Sequence, residues 1–241
     1  MSDEIKNIPP KLFWSSLSLS ASSYSLRCDA KFANDSVQTI LKKIRSSGCF
    51  EIGDFLPNTF VKGIQHEYLD VITDDSVPVV NTLSIQNMKI NMEDCRYIQS
   101  DDFENLSDER KIKINDVLLT VDGGTSIGKA VLFEETISST VDSHVCILRP
   151  QGIKPLTLVY LLTSKVGQMQ FKIYESGASG QTTVTEEDIR RFIFPSAALE
   201  SIDEVVRDIE AKRAGISKEI EQLKRKENSL WISLDNLLSA S

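Results

Sequence analysis

Histidine and clustered cysteine, the usual makings of a metal or redox centre, are nearly missing from this chain. Its 241 residues hold two histidines, His66 and His144, and four scattered cysteines, Cys28, Cys49, Cys95 and Cys146, with no C-x-x-C pair. Zinc sites need sulfur and nitrogen ligands at short, paired spacings, so no metal is expected and the cysteines read as reduced, partly buried thiols. No apolar run reaches the roughly 20 residues of a membrane-spanning helix. The start, Met1-Ser-Asp-Glu4, is acidic where a signal peptide is basic, so a cytoplasmic location is expected. Positive charge is also short: 27 Lys and Arg against 35 Asp and Glu, a net charge of −8. Phosphate contacts supply most non-specific nucleic-acid affinity, and this balance excludes an indiscriminate nucleic-acid binder. Much of the acid falls within 67–75, 93–109, 186–188 and 200–210. Lys62, Lys89, Lys129, Lys165 and Lys172 lie outside those stretches, where they can gather on one face.

What the chain does have is enough apolar residue (41%) for a proper core. Residues 1–23, with Pro9-Pro10 and a serine-rich run, read as an arm. Between Asp29 and Ile44, apolar residues at Ala30, Ala33, Val37, Ile40, Leu41 and Ile44 keep a helical period, with Asp29 placed as a cap. Short β-prone runs then alternate with polar loops at 50–56, 77–80, 112–121, 130–133, 144–148 and 191–194. The apolar stripe Leu156, Val159, Tyr160, Leu162, Val166, Met169 and Ile173 predicts a helix over 155–172. Thr185-Glu-Glu-Asp188 reads as a capping box opening a shorter one. The class is α+β: an arm and helix (1–45), a β-rich domain (46–196) and a long C-terminal coiled-coil helix (197–241).

That last helix has its own texture. Ile202, Val206, Ile209, Arg213, Ile216, Ile220, Leu223, Glu227, Leu230, Leu234 and Leu237 fall at alternating spacings of four and three, a heptad seam with two charged interruptions. At 1.5 Å per residue such a helix is about 54 Å long, and a narrow seam of that length needs a partner helix. Arg213 and Glu227 sit symmetrically about Ile220. An antiparallel homodimer would set each arginine opposite the other chain's glutamate, whereas a parallel one would stack like charges. On this reading Arg213→Glu breaks the dimer and the double exchange restores it.

The segment from Lys113 to Phe133 reads as a strand, a glycine-rich loop and a strand. Gly123-Gly-Thr-Ser-Ile-Gly-Lys-Ala130 matches the phosphate-binding pattern G-x-x-x-x-G-K-[ST] except at its last position, where Ala130 has no hydroxyl to offer magnesium. The continuation Ala130-Val-Leu-Phe133 is β-prone, whereas that motif must open a helix. A hairpin whose glycines take positive φ angles is the expectation. The reading of a nucleotide-dependent enzyme predicts that ATP with magnesium raises the melting temperature.

The same segment resembles the Gly-Asp-Ile-Leu…Gly-Ser-Ile-Gly-Lys block in the specificity subunits of type I restriction-modification enzymes. Here the block reads Asn115-Asp-Val-Leu118 and Thr125-Ser-Ile-Gly-Lys129. Other blocks follow in that family's order: Phe50-Glu-Ile-Gly-Asp-Phe55, Val77-Pro-Val-Val-Asn-Thr-Leu-Ser-Ile-Gln-Asn-Met-Lys-Ile90, Ser139-Thr-Val-Asp-Ser-His-Val-Cys-Ile-Leu-Arg-Pro150, Tyr160-Leu-Leu-Thr-Ser164, Ser176-Gly-Ala-Ser-Gly-Gln181 and Phe192-Ile-Phe-Pro195. Leu26-Arg-Cys-Asp-Ala-Lys-Phe32 resembles an Arg-x-Asp helix start of the same group. The likeness spans roughly residues 50–237. It departs at Asn81, where the family has arginine, and at Glu200-Ser201, where it has Glu-Gln. A full subunit has two recognition domains and two long helices; the 241 residues have room for one of each, a half-subunit.

The resemblance implies a non-catalytic protein that reads half of a bipartite DNA site and docks methyltransferase subunits, with a restriction subunit as a further possible partner. S-adenosylmethionine would be bound by the methyltransferase, and no cofactor is expected on this chain. An Asn/Asp-Pro-Pro-aromatic motif is lacking; Asn7-Ile-Pro-Pro10 is interrupted by Ile8. Base readout needs polar side chains on exposed loops. The candidates are Lys62 and Gln65; Asn81, Thr82, Gln86 and Lys89; Thr125, Ser126 and Lys129; and Ser179, Gln181 and Thr182. His66 and His144 read as structural or merely exposed. The competing expectation is a coiled-coil interaction module with no DNA role, for which duplex binding would stay flat across salt concentrations.

Overall fold

The computed structural model describes Leu19 and residues 31–57, 60–178 and 181–239, without the side chains of Ala178 and Gln181. The rest of the serine-rich arm, Cys28, Asp29 and Ser179 lie outside the described residues. Helix α1 (Asp35–Ser46) starts later than the apolar period predicts. Asn34 caps it, accepting from the Val37 amide at 3.3 Å, because a short side-chain oxygen satisfies an N-terminal N–H that no helical carbonyl reaches. Then come β1 (Cys49–Glu51), a 3-10 turn (Ile52–Phe55), β2 (Phe60–Lys62), β3 (Ser76–Val80), β4 (Ile85–Gln86), β5 (Lys89–Ile90), β6 (Arg96–Gln99) and α2 (Ser100–Glu104). The run predicted as a strand over 50–56 is therefore only half strand. β7 (Val117–Thr120), β8 (Ala130–Leu132), β9 (Thr140–Val141) and β10 (Val145–Leu148) follow.

The helix predicted over 155–172 is two helices, α3 (Pro155–Thr163) and α4 (Lys165–Tyr174). Ser164 between them is extended, and its hydroxyl accepts from the Gly167 amide at 3.1 Å. The elbow requires glycine there: a Cβ on residue 167 would lie 2.4 Å from the carbonyl oxygens of both Leu161 and Leu162. β11 (Ser176–Ala178) and β12 (Gln181–Thr183) form a hairpin, and α5 (Glu186–Arg190) starts at the predicted Thr185 cap. β13 (Ile193–Pro195) pairs antiparallel with β1, and α6 (Ile202–Ser239) closes the chain.

The main sheet is antiparallel in the order β2-β10-β7-β8. Side chains alternate across a strand, and here both faces are covered, which is why β7 and β10 read as unbroken apolar runs. Val117, Leu119, Val121, Cys146 and Leu148 face one core with α1, α3 and α4. Leu118, Val131, Phe133, Val145 and Ile147 face a second core with Val80, Ile85 and Val141. That second core lies under a smaller sheet, β6-β3-β9, in which β3 runs antiparallel to β6 and parallel to β9.

One ion pair fixes the main sheet from outside. Arg149, just past β10, donates to both oxygens of Asp116, just before β7, at 2.9 Å each. Asp116 is buried, and the Lys113 amide gives it a third bond at 2.8 Å. The preceding residue, Asn115, sits at φ 72°, a left-handed conformation that asparagine tolerates better than most side chains.

Along α6 only Val206 is fully buried, and every described residue past Ser217 is exposed. The heptad seam therefore divides: Ile202, Val206, Ile209 and Arg213 lie against the chain's own domain, and Ile216, Ile220, Leu223, Glu227, Leu230, Leu234 and Leu237 face outward. No described helix is long and apolar enough to cross a membrane.

Candidate nucleic-acid interface

The antiparallel register of the main sheet brings the end of β2, the end of β7, the start of β10 and the start of β8 to one rim, with Cys146 opposite Lys62 and Val145 opposite Thr120. The glycine loop leaves this rim and returns to it. Gly128 donates to Thr120 O, and Thr120 to Lys129 O, at 2.9 Å each. Gly123 and Gly128 take φ of 101° and 84°. The loop leads into strand β8, not a helix, so the amide cradle of a nucleotide site does not form and the enzyme reading loses its structural basis.

The second glycine-rich hairpin docks on the first. Asp122 bridges Thr183, Gly123 N donates to Thr182 O at 3.0 Å, and Val184 N donates to Val121 O at 3.0 Å. Lys62 reaches the same place, its ammonium 2.6 Å from Asp122 Oδ2 while half exposed. The three-residue passage from β9 to β10 supplies Ser143, whose hydroxyl is 3.4 Å from Gln65 Oε1, and His144, whose Nδ1 is 3.8 Å from Asp122 Oδ2. Lys62 and Gln65 thus share one patch with Thr182, more than a hundred residues further along the chain. The Thr182 hydroxyl is buried there with no hydrogen-bond partner among the described residues. Side chains of Ser179 and Gln181 are outside the description.

The other candidates form a second group. Lys129 turns away from the rim and donates to Thr82 O at 3.0 Å. Thr125 is exposed at the hairpin tip and Ser126 is half-buried; Thr125 borders a shallow cavity shared with Asn87, Met88 and Thr163. Asn81 is buried and committed: its amide donates to Asp94 O at 2.9 Å, and its Oδ1 accepts from the Leu83 and Ser84 amides at 2.8 and 3.2 Å. It shapes the β3–β4 turn, a local bonding habit of asparagine. Gln86 is exposed but bonded to Leu83 O and Asp94 Oδ2 at 2.9 Å each. Lys89 is exposed at a cleft beside α6 with Glu134, Glu210 and Arg213.

Asp122 and Ser143 were not singled out by sequence reasoning, and His144 was read only as structural or merely exposed. Asp122 stands beside two glycines and is anonymous until the register is known, and the block that holds Ser143 and His144 does not say which of its side chains reach the rim. Behind them Asp142 is buried, and burial pushes its carboxyl above the ordinary carboxylate range against the opposing pull of the His144 amide, His144, Arg96 and His66. The folded state therefore binds this proton more tightly than the unfolded chain, and stability is lost as pH rises from about 3.9 through the raised value. Asp142→Asn keeps the acceptor for the His144 amide and removes the buried charge. It should melt above the parent at pH 7, with the gap closing as pH falls toward 4. Equal melting at pH 7 would show that the charged neighbours offset the burial.

Among the described residues no group of His, Cys, Asp and Glu is placed to hold a metal. Residues 50–223 match the family model described as the type I restriction modification DNA specificity domain. No curated protein matches the sequence. Among solved structures, the HsdS subunit from Thermoanaerobacter tengcongensis aligns at 11% identity and a TM-score of 0.46, over 76% of this chain and 46% of that one. A type I restriction-modification S subunit from M. genitalium aligns at 14% identity and a TM-score of 0.47, over 68% and 38%. The type IIG restriction endonuclease BpuSI aligns at 10% and 0.49, over 73% and 28%. The chain thus spans less than half the length of each.

Proposed function

Because the chain belongs to the type I restriction modification DNA specificity domain family, we propose that the rim of its main sheet reads one half of a bipartite DNA site for a methyltransferase that binds S-adenosylmethionine. The convergence of Lys62, Gln65, Thr182 and both glycine-rich hairpins on one end of one sheet carries this reading. Half-exposed Lys62 supplies positive charge for a phosphate in exchange for its pairing with Asp122, while exposed Gln65 has the donor and acceptor that a base edge requires. The chain itself supplies no chemistry in this scheme. Its work is to hold bases in register and to dock methyltransferase subunits, with a restriction subunit where the system cleaves. Pairing of two copies through the exposed half of α6 would place two reading heads on one rod and favour a palindromic, interrupted site. Arg213, whose pairing with Glu227 would favour the antiparallel arrangement, is bonded to its own domain, so that pairing would have to compete with those contacts.

The deciding experiment compares adenine methylation in the source cells with and without the gene. Loss of methylation at one interrupted motif supports the proposal; an unchanged methylome counts against it and favours a protein-interaction module. With the motif known, Lys62→Ala should reduce the slope of log affinity on log salt by about 0.9. Gln65→Ala should leave the slope alone and cost about 1–3 kcal/mol of discrimination. If neither variant changes binding, the rim is not the reading surface.

A further inference from the structure

We propose that Arg213 sets the direction of α6 relative to the sheet domain, and thereby the separation at which two half-sites are read. This rests on the DNA-reading function above. The helix packs on its domain from Ile202 to Arg213, with a cluster of polar attachments at each end of that contact. Near its start, Asp203 accepts from Thr157 Oγ1 at 2.5 Å and pairs with Lys154 at 2.8 Å, beside buried Val206. Ten residues on, Arg213 makes the second attachment. Its Nη1 donates to the Tyr160 hydroxyl at 3.1 Å and to Glu210 Oε1 at 2.9 Å, and its Nη2 to the carbonyl oxygen of Asn87 at 2.9 Å. Tyr160 in turn donates to Glu210. Past Ser217 no described residue of α6 is buried against the domain.

The partner turn is built for this contact. Gln86 pairs with Lys89, so Asn87 and Met88 form a two-residue hairpin turn, with φ of 51° and 60°. Asn-Gly suits such a turn, and a methionine in its second place is strained. Met88 instead turns its sulfur to Arg213 Nη1, 3.3 Å away, and to the Thr163 hydroxyl. The side chain that the turn would do better without is the one that meets the helix. From there the contact continues toward the glycine hairpin, because the loop preceding β4 carries the Thr82 carbonyl that Lys129 holds.

Leverage makes the second attachment consequential. At 1.5 Å per residue it lies about 15 Å from Asp203, and the helix end lies about 54 Å from Asp203. A 1 Å slip at Arg213 therefore displaces the end by about 3.6 Å, close to the roughly 3.4 Å rise of one base pair. Arg213 is a positioning residue: it touches no DNA in this scheme, yet its play is converted to base-pair units.

The test uses the full chain with spin labels on ketone-bearing residues replacing Glu109 and Asn236, which leaves the cysteines unlabelled. Dilution in excess unlabelled chain ensures that distances are read within one copy. The parent should give a narrow distance distribution. Arg213→Met, which keeps the apolar stem, should widen it by about 3 Å for each ångström of play gained, and Arg213→Lys, able to reach fewer acceptors, should fall between. On duplexes carrying both half-sites with the gap varied one base pair at a time, the parent should prefer a single gap, and Arg213→Met should bind neighbouring gaps within about three-fold of it. Unchanged distances overturn the proposal. Wider distances with an unchanged gap preference overturn its link to spacing. A parent that binds no duplex at any gap overturns the DNA-reading function, while the distances still judge the attachment.

Discussion

Arg149→Met should cost about 3–5 kcal/mol of stability, out of the 5–15 kcal/mol that a domain of ordinary size holds in total. The reason is the charge left behind. Asp116 has only 5% of its side chain exposed, and Arg149 supplies one bond to each of its oxygens, leaving only the Lys113 amide when the guanidinium is removed. Arg149 also donates to Lys111 O at 3.1 Å, so a backbone acceptor loses its partner as well. Solvent-exposed pairs such as Lys212–Asp208 contribute about 0–1 kcal/mol, and urea titrations at pH 7 will separate the two scales. The double variant Asp116→Asn with Arg149→Met should recover a large part of the loss, because it removes the buried charge along with its partner. If Arg149→Met alone costs no more than an exposed pair, the clamp is not what holds β7 to β10 at the end of the sheet opposite the rim.

How far such features could be read beforehand depends on how local their cause is. β7 and β10 were legible because burial on both faces writes a continuous apolar run into three residues of the one and four of the other. β9 has two residues and takes its identity wholly from β3 alongside it, so nothing local announces it. The elbow at Ser164 was hidden because the apolar stripe continues through it; only the crowding about Gly167 betrays the bend. The glycine hairpin was read correctly from the missing hydroxyl at Ala130 and the β-prone residues after it. Its docking on the 176–183 hairpin was not, since those contacts join segments about sixty residues apart. The two charged seam positions show the limit most plainly. A heptad pattern says that a residue faces something but not what, and Arg213 faces Tyr160, Glu210 and Asn87 of its own chain. Asn81 shows the same for the candidate site: a polar residue in a loop is as able to fold the loop as to meet a base.

Leu223→Glu combined with Leu230→Glu should reduce affinity for a complete bipartite duplex by about 10²–10⁴-fold while leaving affinity for a single half-site unchanged. The two leucines are 63% and 72% exposed in the single chain, in a seam shared with Ile216, Ile220 and Leu234. Because neither packs on its own domain, and glutamate is a good helix former, the melting temperature of an isolated domain should scarcely move. The cost falls on association: four carboxylates would enter the seam of a pair in which Glu227 is already the one acidic seam residue past Arg213. Trp231, 60% exposed next to Leu230, widens the apolar face there and argues that the surface is covered in the working assembly. Sedimentation should find the parent dimeric at micromolar concentration and the variant monomeric. The two half-sites would then be bound independently, without the effective concentration that tethering provides. A variant that stays dimeric, or a monomeric variant that grips the bipartite duplex as tightly as the parent, would mean that one copy spans the site without the other. A parent that is itself monomeric at that concentration would assign the exposed seam to a different protein, and the methyltransferase subunits would be the first to be tried against it.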